Sequence, residues 1–306
     1  MKKFKIKRIL TGEKDSLEQL GTKAKFWFYD NKIKKLFKEG RKNTGENWVE
    51  VVVSELCIKL DIPHAKYEFS EYEEMKGTIT ENFVPSSGRL VLGNELLAGV
   101  LKDIDYDSHK KYGLKEYNLS TVLAVLKTDI IDVPINYESS EMNSAFDVFV
   151  GYIMLDCLIS NPDRHHENWG LVVDNKKVYL TPTYDHASGL GCREPEERKK
   201  NRLISSDNGF KVDNFVNRAK TPFYLKKTGK KLSTYDAFIF CSLHNKKAAL
   251  YWLKKLSNFN ICEMEEIFSK VPNELISEIS VKFAMEMLRV NKKRLIKLIE
   301  ESKNGK

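Results

Sequence analysis

Residues Asn161 to Gly189 read NPDRHHENWGLVVDNKKVYLTPTYDHASG, and the parsing of this stretch decides the fold. Two polar turns rich in Asp, Asn and His are separated by two short runs that read as strands. Ahead of them Ser144 to Ile159, SAFDVFVGYIMLDCLI, is apolar on nearly every side, the mark of a helix buried in the centre of a lobe. Asp163 and Asn168 stand in a D-x4-N spacing, and Asp185 follows the second strand. Mg-dependent phosphoryl transfer needs that set: one Asp to orient or deprotonate the attacking hydroxyl, an Asn on a metal ion, and a second Asp on the metals. Carboxylate and amide oxygens suit Mg, which keeps waters and takes its remaining ligands from nucleotide phosphates. A D-x4-N pair alone is common by chance; followed by strand, turn, strand and Tyr-Asp it is much rarer. The competing reading is two polar turns of an ordinary hairpin.

The 306 residues suffice for one large domain or two lobes with a substantial core. With 51 Lys and Arg against 43 Asp and Glu, the net charge of +8 favours anionic partners, although a solvated Lys-rich surface is the commoner explanation. Cys57, Cys157, Cys192, Cys241 and Cys262 are scattered, odd in number and free of C-x-x-C spacing, which argues for reduced thiols in the cytoplasm and against a zinc ribbon. MKKFKIKRIL is basic but lacks the apolar segment of a signal peptide, and it alternates like an edge strand. No apolar run is long enough to span a membrane, so a soluble protein is expected.

Residues 1–85 read as strands with one embedded helix, and residues 86–306 as mostly helical. Lys23 to Tyr29 and Ile33 to Lys38, joined at Asn31-Lys32, suggest an antiparallel hairpin. The preceding SLEQLGTK, with Gly21 and Thr22, is a candidate phosphate-covering loop, though it is neither G-x-G-x-x-G nor a Walker loop. Lys38 ends the second strand where a lysine would reach phosphates, with Lys34 and Lys35 as competitors. Glu46 to Leu60 has helical apolar spacing, and Glu50 near its start is preferred over Glu46 and Glu55 as a partner for Lys38. Strands are expected at Ala65 to Phe69 and Thr78 to Val84. The connection beginning ENFVPSSG would carry adenine on backbone groups near Glu81, Phe83 and Val84. Beyond it, Leu90 to Leu101 and Ser120 to Lys127 read as short helices and Lys102 to Lys111 as irregular. HASGLGCREPEERKKNRLISSDNG reads as a polar loop with a substrate-contacting or purely surface role. Tyr235 to Leu256, Cys262 to Ser269 and Val281 to Glu300 read as helices.

NPDRHHENWG followed by LTPTYDHASG resembles the catalytic and metal-binding turns of HipA-like kinases, bacterial serine/threonine kinases related to the toxin HipA. The KLFK strand end and ENWVE helix start resemble the same family's small lobe. The resemblance implies an α+β, two-lobed protein-kinase-like fold, with a small antiparallel-sheet N-lobe carrying one helix and a larger, mostly helical C-lobe. It implies ATP and Mg as cofactors and Ser or Thr of a protein as acceptor, with autophosphorylation on a loop serine such as Ser16, Ser205 or Ser206 as a variant. By position, Asp163 would be the catalytic base, Asn168 and Asp185 would hold Mg, Lys38 would bind phosphates and Glu50 would support it. His165 would be the family's loop histidine, bracing the loop, and Arg164 would brace it through backbone or a carboxylate. His166, Glu167 and His186 receive no role.

Three departures qualify the resemblance. Asn161-Pro162 precede the Asp and Arg164-His165 follow it, unlike the His-Arg-Asp order of ordinary protein kinases. The chain is short for HipA, which weakens the expectation of an antitoxin-like inhibitor as partner. The glycine-rich loop is unclear. A small-molecule or lipid head-group kinase of the same fold is the alternative. A basic nucleic-acid-binding module lacks any recognisable motif, so no direct nucleic-acid partner is expected. A metal hydrolase built on His165, His166, Glu167 and His186 lacks the H-E-x-x-H spacing.

Overall fold

The computed structural model describes residues 2–10, 13–17, 24–102, 106–226 and 228–304. Six strands, β1 (Ile6–Ile9), β2 (Lys14–Leu17), β3 (Lys25–Asp30), β4 (Ile33–Glu39), β5 (Tyr67–Tyr72) and β6 (Met75–Glu81), form one sheet in the order β1-β5-β6-β4-β3-β2. All neighbours are antiparallel except β1, which lies parallel to β5 at the edge. The β3–β4 hairpin turns on Asn31 and Lys32, with φ of 49° and 70°. Two left-handed residues in succession twist a two-residue loop the same way as its strands, and Asn tolerates that conformation well.

Helix α1 (Glu46–Leu60) stops at Asp61, whose φ of 58° turns the chain out, and Pro63 forbids its continuation. Its valines and leucines are buried all round. One side packs on β5 and β6 and the other on helices of the second lobe, so the main core runs through both lobes.

The second lobe carries a four-stranded sheet, β7 (Arg89–Leu92), β9 (Gly170–Asp174), β10 (Lys177–Leu180) and β8 (Ile131–Asp132) in that spatial order. Helices α2 (Gly93–Val100), α3 (Leu119–Leu126), α4 (Ala145–Leu158), α5 (Glu196–Ile204) and α6 (Val212–Asn217) are followed by the hairpin β11 (Lys220–Leu225) and β12 (Lys230–Ser233). The chain then ends in α7 (Thr234–His244), α8 (Lys246–Asn258), α9 (Ile261–Lys270) and α10 (Glu278–Asn304). The central helix α4 starts with a Ser144–Asp147 capping box and packs against α3, α7, α8 and α10. Gly151 lets α8 come close: a Cβ there would sit 2.6 Å from the Trp252 ring. The β9–β10 hairpin repeats the Asp-Asn-Lys turn of β3–β4, with Asn175 and Lys176 at φ of 47° and 66°.

Several expectations fail locally, among them the helix read over Tyr235 to Leu256, which is two helices, α7 and α8, parted at Asn245. Residues 90–92 are strand, because Leu90 pairs with Val172 and Val91 with Leu171, and only then does α2 begin. The polar segment after Asp185 contains α5, whose Lys199 is buried with its ammonium 2.9 Å from Ser280 Oγ on α10. The β11–β12 hairpin lies in a region with no strand expectation. All five cysteines are free thiols. No described helix is long and apolar enough to cross a membrane.

Candidate active site

Side-chain alternation along β4 sends Leu36 and Lys38 to one face of the sheet and Lys35 to the other, where it meets Asp30 at 3.1 Å and Glu81 at 3.5 Å. Lys34 lies over the Trp27 ring, 5.0 Å from its centroid. Lys38 is buried, and its Nζ donates to Glu50 Oε1 at 2.9 Å and to Asp185 Oδ1 at 2.5 Å. Burial alone would lower the Lys38 pKa, but the Asp185 and Glu50 carboxylates outweigh it and hold the value well above that of an ordinary lysine. Glu46 lies one turn before Glu50 on the same helical face, yet it is taken by Arg41 at 2.9 Å and Arg193 at 3.1 Å. Glu55 has Lys59, Lys66 and Lys270 as its charged neighbours instead.

Asp185 sits at φ 57°, a left-handed kink immediately after the second polar turn begins. Its N–H donates to the Tyr67 hydroxyl at 3.3 Å, and the next N–H, of His186, donates to Glu50 Oε2 at 2.9 Å. The turn is therefore tied to β5 and to α1 by backbone groups, which fixes where the Asp185 carboxylate points. The His186 ring pairs with Thr183 Oγ1 at 2.8 Å, a structural bond inside the turn.

The first polar turn is built on a buried ion pair. Arg164, wholly inaccessible, donates Nε and Nη2 to the two oxygens of Asp156 on α4 at 2.7 and 2.8 Å, and Nη1 to the Asn168 carbonyl at 2.8 Å. Asn161 bridges the same elements, giving its amide to Asp156 Oδ1 at 2.8 Å and accepting the Asp163 N–H at 3.1 Å. Asn168 donates Nδ2 to the Asp163 carbonyl at 2.7 Å, which leaves its amide oxygen for a ligand. The Asp163 carboxylate accepts from Ser188 Oγ at 2.9 Å and from the Tyr112 hydroxyl. His165 Nδ1 accepts the Glu167 N–H at 3.2 Å, so the neutral ring carries its proton on Nε2, 3.9 Å from Asp163 Oδ1. Burial lowers the His165 pKa, which keeps that tautomer neutral.

A cavity of about 360 Å³ opens between the lobes. Lys38, Asp185, Asn168 and His165 line it, as do the consecutive residues Glu81 to Val84 and the apolar side chains Leu36, Leu90 and Leu92. The Phe83 and Tyr184 rings stack there at 5.6 Å between centroids. Asp163 lies just outside its lining, linked to it through Asn168. Thr22 falls outside the described residues. Among the described residues no cluster of three His, Cys, Asp or Glu could hold a metal by itself. Asn168 and Asp185 offer two hard oxygen donors on one cavity, and that donor set fits an ion completed by phosphates and water.

No family model matches the sequence, and no curated protein matches it either. Solved structures do. The Helicobacter pylori proinflammatory kinase CtkA matches with a TM-score of 0.76 at 19% identity, over 96% of this chain and 96% of that one. HipA of Shewanella oneidensis MR-1, solved with HipB and operator DNA, matches with a TM-score of 0.58 at 12% identity, over 94% of this chain and 66% of that one. The chain has the HipA-like kinase fold.

On this HipA-like kinase fold, the structure brings Lys38, Asp185, Asn168, His165 and the Glu81 to Val84 segment onto one cavity, with Glu50 buried behind Lys38. Sequence reasoning missed Tyr67, Tyr112, Asp156 and Ser188. Tyr112 and Ser188 reach Asp163 from loops 51 and 25 residues away along the chain, and no local pattern marks them. Asp156 did carry a signal, as an acidic residue beyond the first turn of a helix whose other residues there are apolar or aromatic.

Proposed function

We propose that this chain is an ATP- and Mg-dependent kinase that transfers phosphate to Ser or Thr of a protein, its own loop serines included. The observation that supports this most is the Lys38–Glu50–Asp185 cluster on the same cavity as Asn168, with Asp163 one residue contact away. Lys38, kept charged by its carboxylate neighbours, neutralises nucleotide phosphates. Glu50 holds Lys38 in place, and Asp185 with Asn168 would hold Mg, which supplies charge neutralisation on the transferring phosphate. Glu81, Phe83 and Val84 border the adenine end. Asp163 accepts the proton of the attacking hydroxyl, and His165 braces the loop that carries it by accepting the Glu167 N–H. Asp185 bonds Lys38 in this structure, and its carboxylate would serve the metal as well once the ion and nucleotide were bound.

Thermal unfolding with and without ATP and Mg tests this directly. A nucleotide at 100 times its Kd adds roughly 2.7 kcal/mol to stability. Labelled ATP should then mark Ser or Thr in proteins, and Asp163→Ala should abolish transfer while leaving the nucleotide shift. Label confined to small molecules would change the acceptor class, and the absence of any shift at millimolar ATP would end the kinase reading.

A further inference from the structure

We infer that a second cavity, on the other side of Asp163 from the nucleotide cavity, seats the acceptor segment and selects Ser or Thr flanked by Asp or Glu. This rests on the kinase reading above. The cavity measures about 420 Å³ and shares no lining residue with the first. Asp163 stands between the two. Its neighbour Pro162 and its hydrogen-bond partner Ser188, at 2.9 Å, line the second, while His165 and Asn168 line the first. A base placed so has a chamber for the phosphate donor on one side and one for the hydroxyl's own chain on the other.

The charged lining of this second cavity is four cations, Arg193, Arg202, Arg218 and Lys220, against one carboxylate, Glu194. Two of the cations are already committed. Arg202 bonds Glu194 at 2.7 Å and the Phe210 carbonyl at 3.0 Å, with its guanidinium against the Phe210 and Phe215 rings, so it forms a wall. Arg193 reaches Glu46 at 3.1 Å and Ser188 Oγ at 3.1 Å, tying the cavity to the Asp163 network. Arg218, capping α6, and Lys220, opening β11, are exposed and have no ion-pair partner among the described residues. Both stand at the ends of ordered elements, so their side chains start from set positions on the rim of the cavity without a neutralising neighbour among the described residues. Opposite charge on the incoming segment steers it into the site and fixes its register, while a basic segment is repelled.

The binding arm of the test needs no nucleotide. Two fluorescent peptides, each with one Ser in an Ala-Gly background flanked by either Glu or Lys, are titrated with the full chain and read by anisotropy. The wild type should bind the Glu peptide at least tenfold more tightly than the Lys peptide. R218E/K220E should lose or reverse that preference, R218Q/K220Q should abolish it, and neither should alter ATP affinity. In phosphotransfer the charge-reversed variant should raise KM for the Glu peptide at least tenfold. Equal binding of the two peptides by the wild type overturns the inference, as does a preference that survives both variants. Tighter binding of a single-stranded oligonucleotide than of the Glu peptide, lost in R218E/K220E, would also overturn it. If the kinase reading alone is wrong, ATP binding fails while the peptide preference stands.

Discussion

Asp156→Ala removes the counter-ion of a guanidinium that has no access to water, and the consequences can be worked from the contacts. Arg164 loses two donor interactions, at 2.7 and 2.8 Å, and keeps only the Asn168 carbonyl. Breaking one side of a buried ion pair costs roughly 3–5 kcal/mol, because the remaining charge stays in a low-dielectric interior. Asn161 loses an acceptor at 2.8 Å as well, but it belongs to the same network and its loss does not simply add. At roughly 2–4 °C per kcal/mol for a protein of this size class, the melting temperature should fall by on the order of 10 °C. The double variant Asp156→Leu/Arg164→Met replaces the pair with apolar groups and should recover most of that loss, since such swaps are often neutral. It should not recover transfer. The pair fixes the turn bearing Asp163 and Asn168, and a displacement of about 1 Å in a reacting group can cost 100-fold. Denaturant titration and a transfer assay on both variants read the two effects separately. A single variant within about 1 kcal/mol of wild type, or a double variant no more stable than the single, would refute the assignment of this pair as the anchor of the turn.

Two further outcomes follow from the same geometry. The Tyr112 hydroxyl holds Asp163 Oδ1, one of the two carboxylate oxygens an acceptor hydroxyl can use, so Tyr112→Phe should raise kcat/KM for the acceptor by roughly fivefold, the worth of about 1 kcal/mol for a half-exposed hydrogen bond, with ATP affinity unchanged; an unchanged or lower value would show that the contact does not compete with the acceptor. Burial lowers the pKa of His64 and of His166 to about 4, below the roughly 6.5 of an unfolded chain, so the unfolded state takes up protons first as pH falls. The stability these neutral histidines permit is full above about pH 6.5 and is lost toward pH 4, and His166→Asn should flatten the fall of melting temperature across that window; an identical slope would contradict it.

The parts of the site that could be read from the sequence are those whose geometry is set within a few residues. The D-x4-N spacing, the two strands of β9 and β10 and the Asp185 turn form one contiguous stretch, so their order gives their arrangement. Strand parity puts Lys38 on the face opposite Lys35, and helical spacing puts Glu50 in the second turn of α1. Elements decided by distant pairing stayed hidden. RLVLGNELL reads as one helical run because nothing local reveals that Arg89–Leu92 pairs with β9, and strand preference depends on such neighbours more than on the residues themselves. The basic run after Arg198 reads as a loop because the partner of Lys199, Ser280, lies 81 residues on.

Asp156 differs from these cases. A carboxylate buried in the last turn of a helix that is apolar on nearly every side cannot stay charged without a partner, and the cost of leaving it unpaired is several kcal/mol. A cation therefore has to come to it, and one basic residue, Arg164, lies in the polar turn that follows α4 directly. That requirement alone ties the turn back onto the central helix. Arg218 and Lys220 carry no such demand, because water solvates both, and it is the excess of four cations over one carboxylate in its lining that points the second cavity toward an acidic partner.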